Sequence, residues 1–383
     1  MANTFLVPRK IVTGTNALNE SGELFTTLGK KACIICDTVM IDLGNVKILC
    51  DTLKQHGIRF AIYDKINGEP SDIMIDEGQK FYIENHCDFL IAIGGGSPID
   101  AMKAIAVCVK TKQSINAFYK QKITFEVANM VAIPTTAGTG SEATQFSIIT
   151  NTQQQIKMLL TGEHLIPDVA ILDAHFIQSA PPHIIAATGI DALCHAVESY
   201  TSKKAQPLAQ TQSISAIKRI LKYLPILFKD PKNSIAAVQM SLAALEAGIA
   251  FNNASVTIIH GMSRPLGALF HIPHGLSNAM LFEDCMRFAC IGQETVFNQL
   301  AIDVGFQQND NQQPYQRFFT SCFALIHNCH IRSISDFTDV DAYARLIPKM
   351  SEDALASGSP QNTMRNVRME DIQNLYRQLF KTI

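Results

Sequence analysis

Charge is scarce in this chain and evenly divided. Charged residues make up 17% of the total, and 32 Lys+Arg stand against 34 Asp+Glu for a formal net charge of −2. Such a balance offers no field that would gather nucleic acid or an anionic membrane, so small molecules are the expected partners. Long apolar runs are also missing. The longest unbroken apolar-and-glycine stretch, residues 89–96, falls far short of the roughly 18 residues that span a bilayer, so no transmembrane helix is expected. The N-terminal MANTFLVPRK lacks a basic segment leading into an apolar run, which makes the cytosol the expected compartment. Glycine and proline show no excess, with 21 and 15 copies, and 47% of the residues are apolar, which together exclude disordered, collagen-like and coiled-coil chains. There is no internal repeat. At about 150 residues per domain, 383 residues suggest two or three packed units with a sizeable core.

The ten cysteines are dispersed through apolar runs, as free buried thiols would be. Cys33 and Cys36 form a C-x-x-C, but no second pair accompanies it and both sit in the run ACIIC, so strand thiols are expected rather than a redox or zinc site. ACIIC (32–36), RFAIYD (59–64), DFLIAIGG (88–95) and NMVAIP (129–134) alternate with helical patterns. Continuous rather than alternating apolar strands predict a mostly parallel sheet covered by helices on both faces. TQFSIIT (144–150) and QIKMLLT (155–161) read as a hairpin, followed by a last strand, VAILD (169–173). From about Ser179 the spacing turns helical, with Pro181-Pro182 marking the change. An α/β domain over residues 1–178 and an all-α domain over 179–383 are therefore expected. The polar stretch QQNDNQQ (307–313) reads as a surface loop.

After DFLIAI come Gly94, Gly95, Gly96, Ser97, Pro98, Ile99 and Asp100, then a helical pattern. Ser97 is a good N-cap, Pro98 suits the first helical position, and Asp100 sits where an acidic group closes a capping box. Three glycines let backbone N–H groups approach an anion such as a pyrophosphate, although a plain tight turn has the same sequence. The loop is not G-x-G-x-x-G and alone is weak evidence. A second polar loop follows NMVAIP, with Thr135, Thr136, Thr139 and neighbouring glycines able to wrap a ribose or phosphate. Asp37, directly after ACIIC, is placed to accept from a ribose 2′-hydroxyl and to repel a 2′-phosphate, favouring NAD over NADP; a turn-forming Asp is the plain alternative.

In GIDALCHAVESY, Asp191 and His195 are four apart and leave one helix face, a spacing that serves metal ligands and ordinary polar pairs alike. The apolar run ASVTII, read as a helix, ends in His260, and His274 follows between Pro273 and Gly275, where another helix begins. One carboxylate and three imidazoles suit Fe²⁺, Zn²⁺ or a similar divalent ion if the fold gathers them.

CDFLIAIGGGSPIDAMKAIA, AIPTTAGTGSEAT, IPDVAILD, AATGIDALCHAVESY, HGMSRPLGALFHIPHGLSNAML, SGSPQN and EDIQNLY occur in an order that resembles the iron-containing (group III) alcohol dehydrogenases over nearly the whole chain. The resemblance implies an N-terminal Rossmann-like dinucleotide-binding domain and a C-terminal helical metal domain, the architecture shared with dehydroquinate synthases, with the active site in the cleft between them. It further implies Asp191, His195, His260 and His274 as metal ligands. Residues Gly94, Gly95, Gly96, Ser97, Asp100, Thr135, Thr136 and Thr139 match the cofactor loops, Asp37 the ribose-binding aspartate, and Lys157 a lysine reaching the cofactor ribose. The implied activity is NAD-linked interconversion of a small primary alcohol and its aldehyde with Fe²⁺, or Zn²⁺, polarising the oxygen. A homodimer or larger assembly, built through residues 5–12, is also implied.

One departure stands out. Many members carry a histidine four residues after the third ligand, a residue often invoked in proton relay, whereas this chain reads HGMSRP with Arg264. Arginine keeps its proton near neutral pH and is a poor shuttle, but a good clamp for a carboxylate or phosphate. His271, three residues before the last ligand, is the substitute candidate for the relay, against the reading of an ordinary surface histidine. Competing functions are a hydroxyacid or polyol dehydrogenase or a transhydrogenase, with Arg264 suiting an anionic substrate, and a catalytically silent protein that binds metal and nucleotide.

Overall fold

The computed structural model describes residues 2–308 and 311–380. Asn309 and Asp310, inside the expected loop at 307–313, lie outside the described residues. The chain divides into two compact units, one formed by Leu6–Ala180 with Lys232–Leu245, the other by Met1–Phe5, Pro181–Pro231 and Glu246–Ile383.

The first unit holds eight strands: β1 (Lys10–Gly14), β2 (Lys31–Ile35), β3 (Arg59–Tyr63), β4 (Phe89–Gly94), β5 (Met130–Pro134), β6 (Phe146–Asn151), β7 (Ile156–Thr161) and β8 (Val169–Asp173). Six of them form one sheet in the order β1-β8-β5-β4-β2-β3 with every pairing parallel, while β6 and β7 make a separate antiparallel hairpin. Both faces of the sheet are buried, which is why its strands read as unbroken apolar runs. Along β2 and β4 the side chains alternate between two cores: Cys33, Ile35, Leu90 and Ala92 join one, and Ala32, Ile34, Phe89, Ile91 and Ile93 the other. The chain builds outward from β2 to β3 and then returns to lay β4, β5 and β8 on the opposite side. The order therefore reverses between β2 and β4, the kind of switch point where open α/β sheets bind ligands beyond their carboxyl ends.

The second unit is helical, with Pro182–Tyr200, Pro207–Lys229, Ile258–Phe270 and His274–Cys290 among its elements. Pro182 opens its helix at the first position, where a missing N–H costs nothing. The 21 residues of the Ser234–Ala254 helix are long and apolar enough to cross a bilayer by length and composition, although Gln239, Ser241 and Glu246 interrupt the apolar run. Most of its apolar window is buried inside the protein, as in a core helix. All ten cysteines are free and buried.

Candidate functional site

In the helical unit, Asp191 and His195 project from one face of the Pro182–Tyr200 helix, as their spacing predicts. His260 is found in the first turn of the Ile258–Phe270 helix, which corrects the expectation that a helix ends at His260. The reason is local. Ser255 takes a left-handed conformation at φ 69°, and Glu198 accepts from Ile259 N and Thr257 Oγ1, both at 2.7 Å, so the helix starts there. His274 opens the His274–Cys290 helix. Gly275 lets that helix approach the first: a Cβ there would lie 2.5 Å from the Ala187 carbonyl oxygen and 3.3 Å from Asp191 Cβ.

The four candidates come together. One ligand atom from each of Asp191, His195, His260 and His274 lies within 4.8 Å of the others. Asp191 Oδ1 is 4.0, 3.6 and 3.9 Å from the Nε2 atoms of His195, His260 and His274. These separations are too long for hydrogen bonds, yet short enough for one divalent ion to reach all the donors, since two bonds of about 2.0–2.2 Å span at most about 4.4 Å. Asp191, His195 and His260 are 2–6% exposed in their side chains, whereas His274 is 47% exposed, so one side of the cluster is open to an incoming molecule. His195 is stacked between Phe251 and His260, with ring centroids 4.2 and 4.4 Å away, and its Nδ1 is buried without a partner.

Electrostatics favour a cation at this spot. Burial opposes ionisation of Asp191, but the imidazoles of His195, His274 and His260 override it and hold the carboxyl well below its usual range. Burial drives His195 down to about 3, against the pull of Asp191, leaving a neutral imidazole with a lone pair to give. His260 is desolvated too, yet Glu198 and Asp191 lift it to about 9. A donor set of one anionic oxygen and three imidazoles fits Fe²⁺ or Zn²⁺.

Two residues of this neighbourhood escaped the sequence reading. Glu198 is fully buried and receives His260 Nδ1, which fixes the ring with Nε2 facing the cluster. Asn278 Nδ2 donates to Asp191 Oδ1 at 2.6 Å and lies 3.1 and 3.2 Å from Nε2 of His260 and His274, while its Oδ1 is buried and unpartnered. The signal was present: Glu198 is three residues from His195 and Asn278 four from His274, the spacings that share a helix face. Arg264 is half-buried one turn beyond His260, and burial presses its pKa down while Glu198 opposes the pressure. His271 is exposed and caps the end of the Ile258–Phe270 helix in a left-handed conformation at φ 54°.

In the sheet unit, Gly94 ends β4 at φ 153°, a backbone state suited to glycine, and a Cβ there would meet Pro98 at 2.7 Å. The following helix, Gly96–Thr111, starts one residue before Ser97, with Gly95 as its cap. Ser97 is thus not the N-cap, and Asp100 closes no capping box. The Asp100 carboxylate instead accepts from Ile148 N at 2.9 Å and from the Ser141 side chain, and burial raises it to about 6. With glycines at the start and no side-chain cap, the first-turn N–H groups are left for another acceptor. The two polar loops meet: Gly95 faces Thr136 at 3.7 Å, and Gly96 faces Thr139 at 3.2 Å and Ser141 at 3.4 Å from a built Cβ. Thr135 N donates to the Gly94 carbonyl, and the Thr136 hydroxyl is buried with no partner. Asp37 follows β2 across the switch point, where its Oδ1 caps the short Thr38–Asp42 helix through Met40 N at 2.9 Å. Lys157, on β7 opposite Thr150, forms an ion pair with Glu69 at 2.6 Å.

A parallel sheet with a glycine turn at its switch point, joined in one chain to a helical unit carrying a three-histidine, one-aspartate cluster, defines a metal- and nucleotide-dependent enzyme class. The family model for iron-containing alcohol dehydrogenase matches residues 8–174, and that for the C-terminal part of the Fe-containing alcohol dehydrogenase family matches residues 185–380. The chain belongs to the iron-containing alcohol dehydrogenase family. It is 31% identical to 1,3-propanediol dehydrogenase of Citrobacter freundii over 98% of both chains. Among solved structures it superposes on a 1,3-propanediol oxidoreductase with a TM-score of 0.94 at 30% identity, covering 99% of this chain and 100% of the other. Sulfoacetaldehyde reductase from Bifidobacterium kashiwanohense, solved with NAD⁺, matches with a TM-score of 0.89 at 26% identity over all of both chains.

Proposed function

We propose that the protein is a metal-dependent, NAD-linked alcohol dehydrogenase that also runs as an aldehyde reductase on small substrates. The observation that carries this reading is the convergence of Asp191, His195, His260 and His274, drawn from three helices, on one partly open point. These four side chains would hold Fe²⁺ or Zn²⁺, and the bound ion supplies a Lewis acid that polarises an alcohol or carbonyl oxygen.

The chain's own groups do the rest. Glu198 accepts a hydrogen bond from His260 Nδ1–H and so presents Nε2 toward the cluster, and Asn278 steadies the Asp191 carboxylate. The N–H groups after Gly94, at Gly95, Gly96 and Ser97, donate to the cofactor pyrophosphate, and Thr135, Thr136 and Thr139 line its ribose and phosphate. Asp37 has a second carboxylate oxygen for the adenosine ribose, which favours NAD over NADP. Lys157 reaches the cofactor only by leaving Glu69. In this reading residues 1–178 bind the nucleotide and residues 179–383 the metal. The alcohol loses hydride from carbon to nicotinamide C4 and its hydroxyl proton to solvent. A cytosolic homodimer paired through residues 5–12 and the free edge of β1 completes the proposal.

The test is metal analysis of purified protein together with absorbance at 340 nm on an alcohol panel, with and without added Fe²⁺ or Zn²⁺. Stoichiometric metal and metal-dependent NADH formation are expected; NAD binding without turnover under any metal overturns the reading in favour of a silent binding protein.

A further inference from the structure

Arg264 is a cation with no assigned work. It stands four residues from His260 on the same helix, so both side chains leave one face. It makes no hydrogen bond or ion pair with any described residue. The carboxylate whose field reaches it, Glu198, is engaged on both oxygens by His260 Nδ1, Thr257 Oγ1 and Ile259 N and makes no bond to Arg264. Asp191 is committed to the four-residue cluster. The guanidinium is therefore half-withdrawn from water, permanently charged and unpaired, a condition that is costly unless a ligand brings the counter-ion. Its planar fork of donors matches a carboxylate in two-point contact.

We propose that Arg264 selects substrates carrying a carboxylate, so that the alcohols this chain oxidises best are short hydroxy acids and the carbonyl compounds it reduces best are the matching oxo acids. This inference rests on the dehydrogenase reading and names its substrate class. In the oxidation, hydride leaves the hydroxyl-bearing carbon for C4 of NAD⁺, the O–H proton goes to solvent, and the carbon–oxygen bond becomes double. The products are the oxo acid, NADH and one proton; the carboxylate passes through unchanged, held by Arg264 while the hydroxyl is directed to the opposite, cluster end of the substrate.

Matched pairs of substrates test this directly: ethylene glycol against glycolate, 1,3-propanediol against 3-hydroxypropanoate, and 1,4-butanediol against 4-hydroxybutanoate. For at least one pair the acid is expected to have the higher kcat/KM. In R264Q the acid-to-diol ratio is expected to fall about 100-fold or more, because a two-point charge-assisted contact is lost, with R264K retaining part of it. Metal content and thermal midpoint of the variants control for folding. Calorimetric titration of the metal-loaded enzyme with propanoate or butanoate reads the same contact without turnover, and binding is expected in wild type and lost in R264Q. Diols preferred in every pair, or a ratio unmoved by R264Q, overturns the proposal. So does a rise in the KM for NAD as the sole effect, which would assign Arg264 to a cofactor phosphate. If no substrate turns over while propanoate or butanoate binding still depends on Arg264, the anion site stands and the dehydrogenase reading falls; if neither is seen, both fall.

Discussion

Asp191 is the single anion among three imidazoles, and its replacement has the largest expected effect of any residue in the cluster. D191N removes the charge that opposes the ion's desolvation, and metal content measured by mass spectrometry is expected to drop from stoichiometric to near zero. E198Q is milder. It keeps the shape and weakens the bond that orients His260, so metal affinity is expected to fall by about 10–100-fold, read by competition with a chromogenic chelator. In the sheet unit, Glu142 is buried beside Lys103, and burial is the main reason its pKa rises to about 7 from an ordinary 4.5, with Lys103 pulling the other way. A carboxyl raised in the folded state favours folding fully below the unfolded value and loses that advantage as pH climbs through the folded one. Wild type is thus expected to lose stability relative to E142Q between pH 4.5 and about 7, by up to about 3 kcal/mol, in parallel urea titrations. At this scale i,i+4 spacing made Asp191 and His195 legible, while the same spacing between His274 and Asn278 went unread because an amide beside a ligand carries no metal signature of its own. Asp100 was misread because the capping rule sees only its own helix, whereas the Ile148 N–H that claims it arrives from a strand 48 residues on.

Between elements, close approach is what places the site. Because Gly275 lies against the Ala187 carbonyl, G275A must push two helices apart and with them His274 from Asp191. A destabilisation of roughly 1–3 kcal/mol is expected, seen as a lower melting midpoint together with reduced metal content. The strands were easily read, since burial on both faces removes polar interruptions. Helix starts were harder to read. The Ile258–Phe270 helix begins late because Glu198, sixty-one residues before Ile259, caps it from another helix, and no local pattern reports such a partner. The Gly96–Thr111 helix begins early because glycine needs no side-chain cap to enter it.

For the whole molecule, the four cluster residues span positions 191 to 274, and their meeting was beyond any spacing rule. Motif order supplied the expectation, and long-range packing is what realises it. An ion bound there ties three helices together, so chelation is expected to lower the thermal midpoint as well as abolish turnover. The loss is about 4 kcal/mol if the ion stands near a thousandfold above its dissociation constant, and Fe²⁺ or Zn²⁺ should restore it.

Ten thiols shut away in the interior make the folded chain nearly invisible to alkylating reagents. Every one of them becomes reactive when its surroundings open. Pulse labelling followed by mass analysis can therefore time the loosening of each region separately: Cys33 and Cys87 for the sheet, Cys194 and Cys285 for the helices around the cluster. The protein carries its own set of local clocks, and adding or withdrawing metal should slow or hasten the last two first.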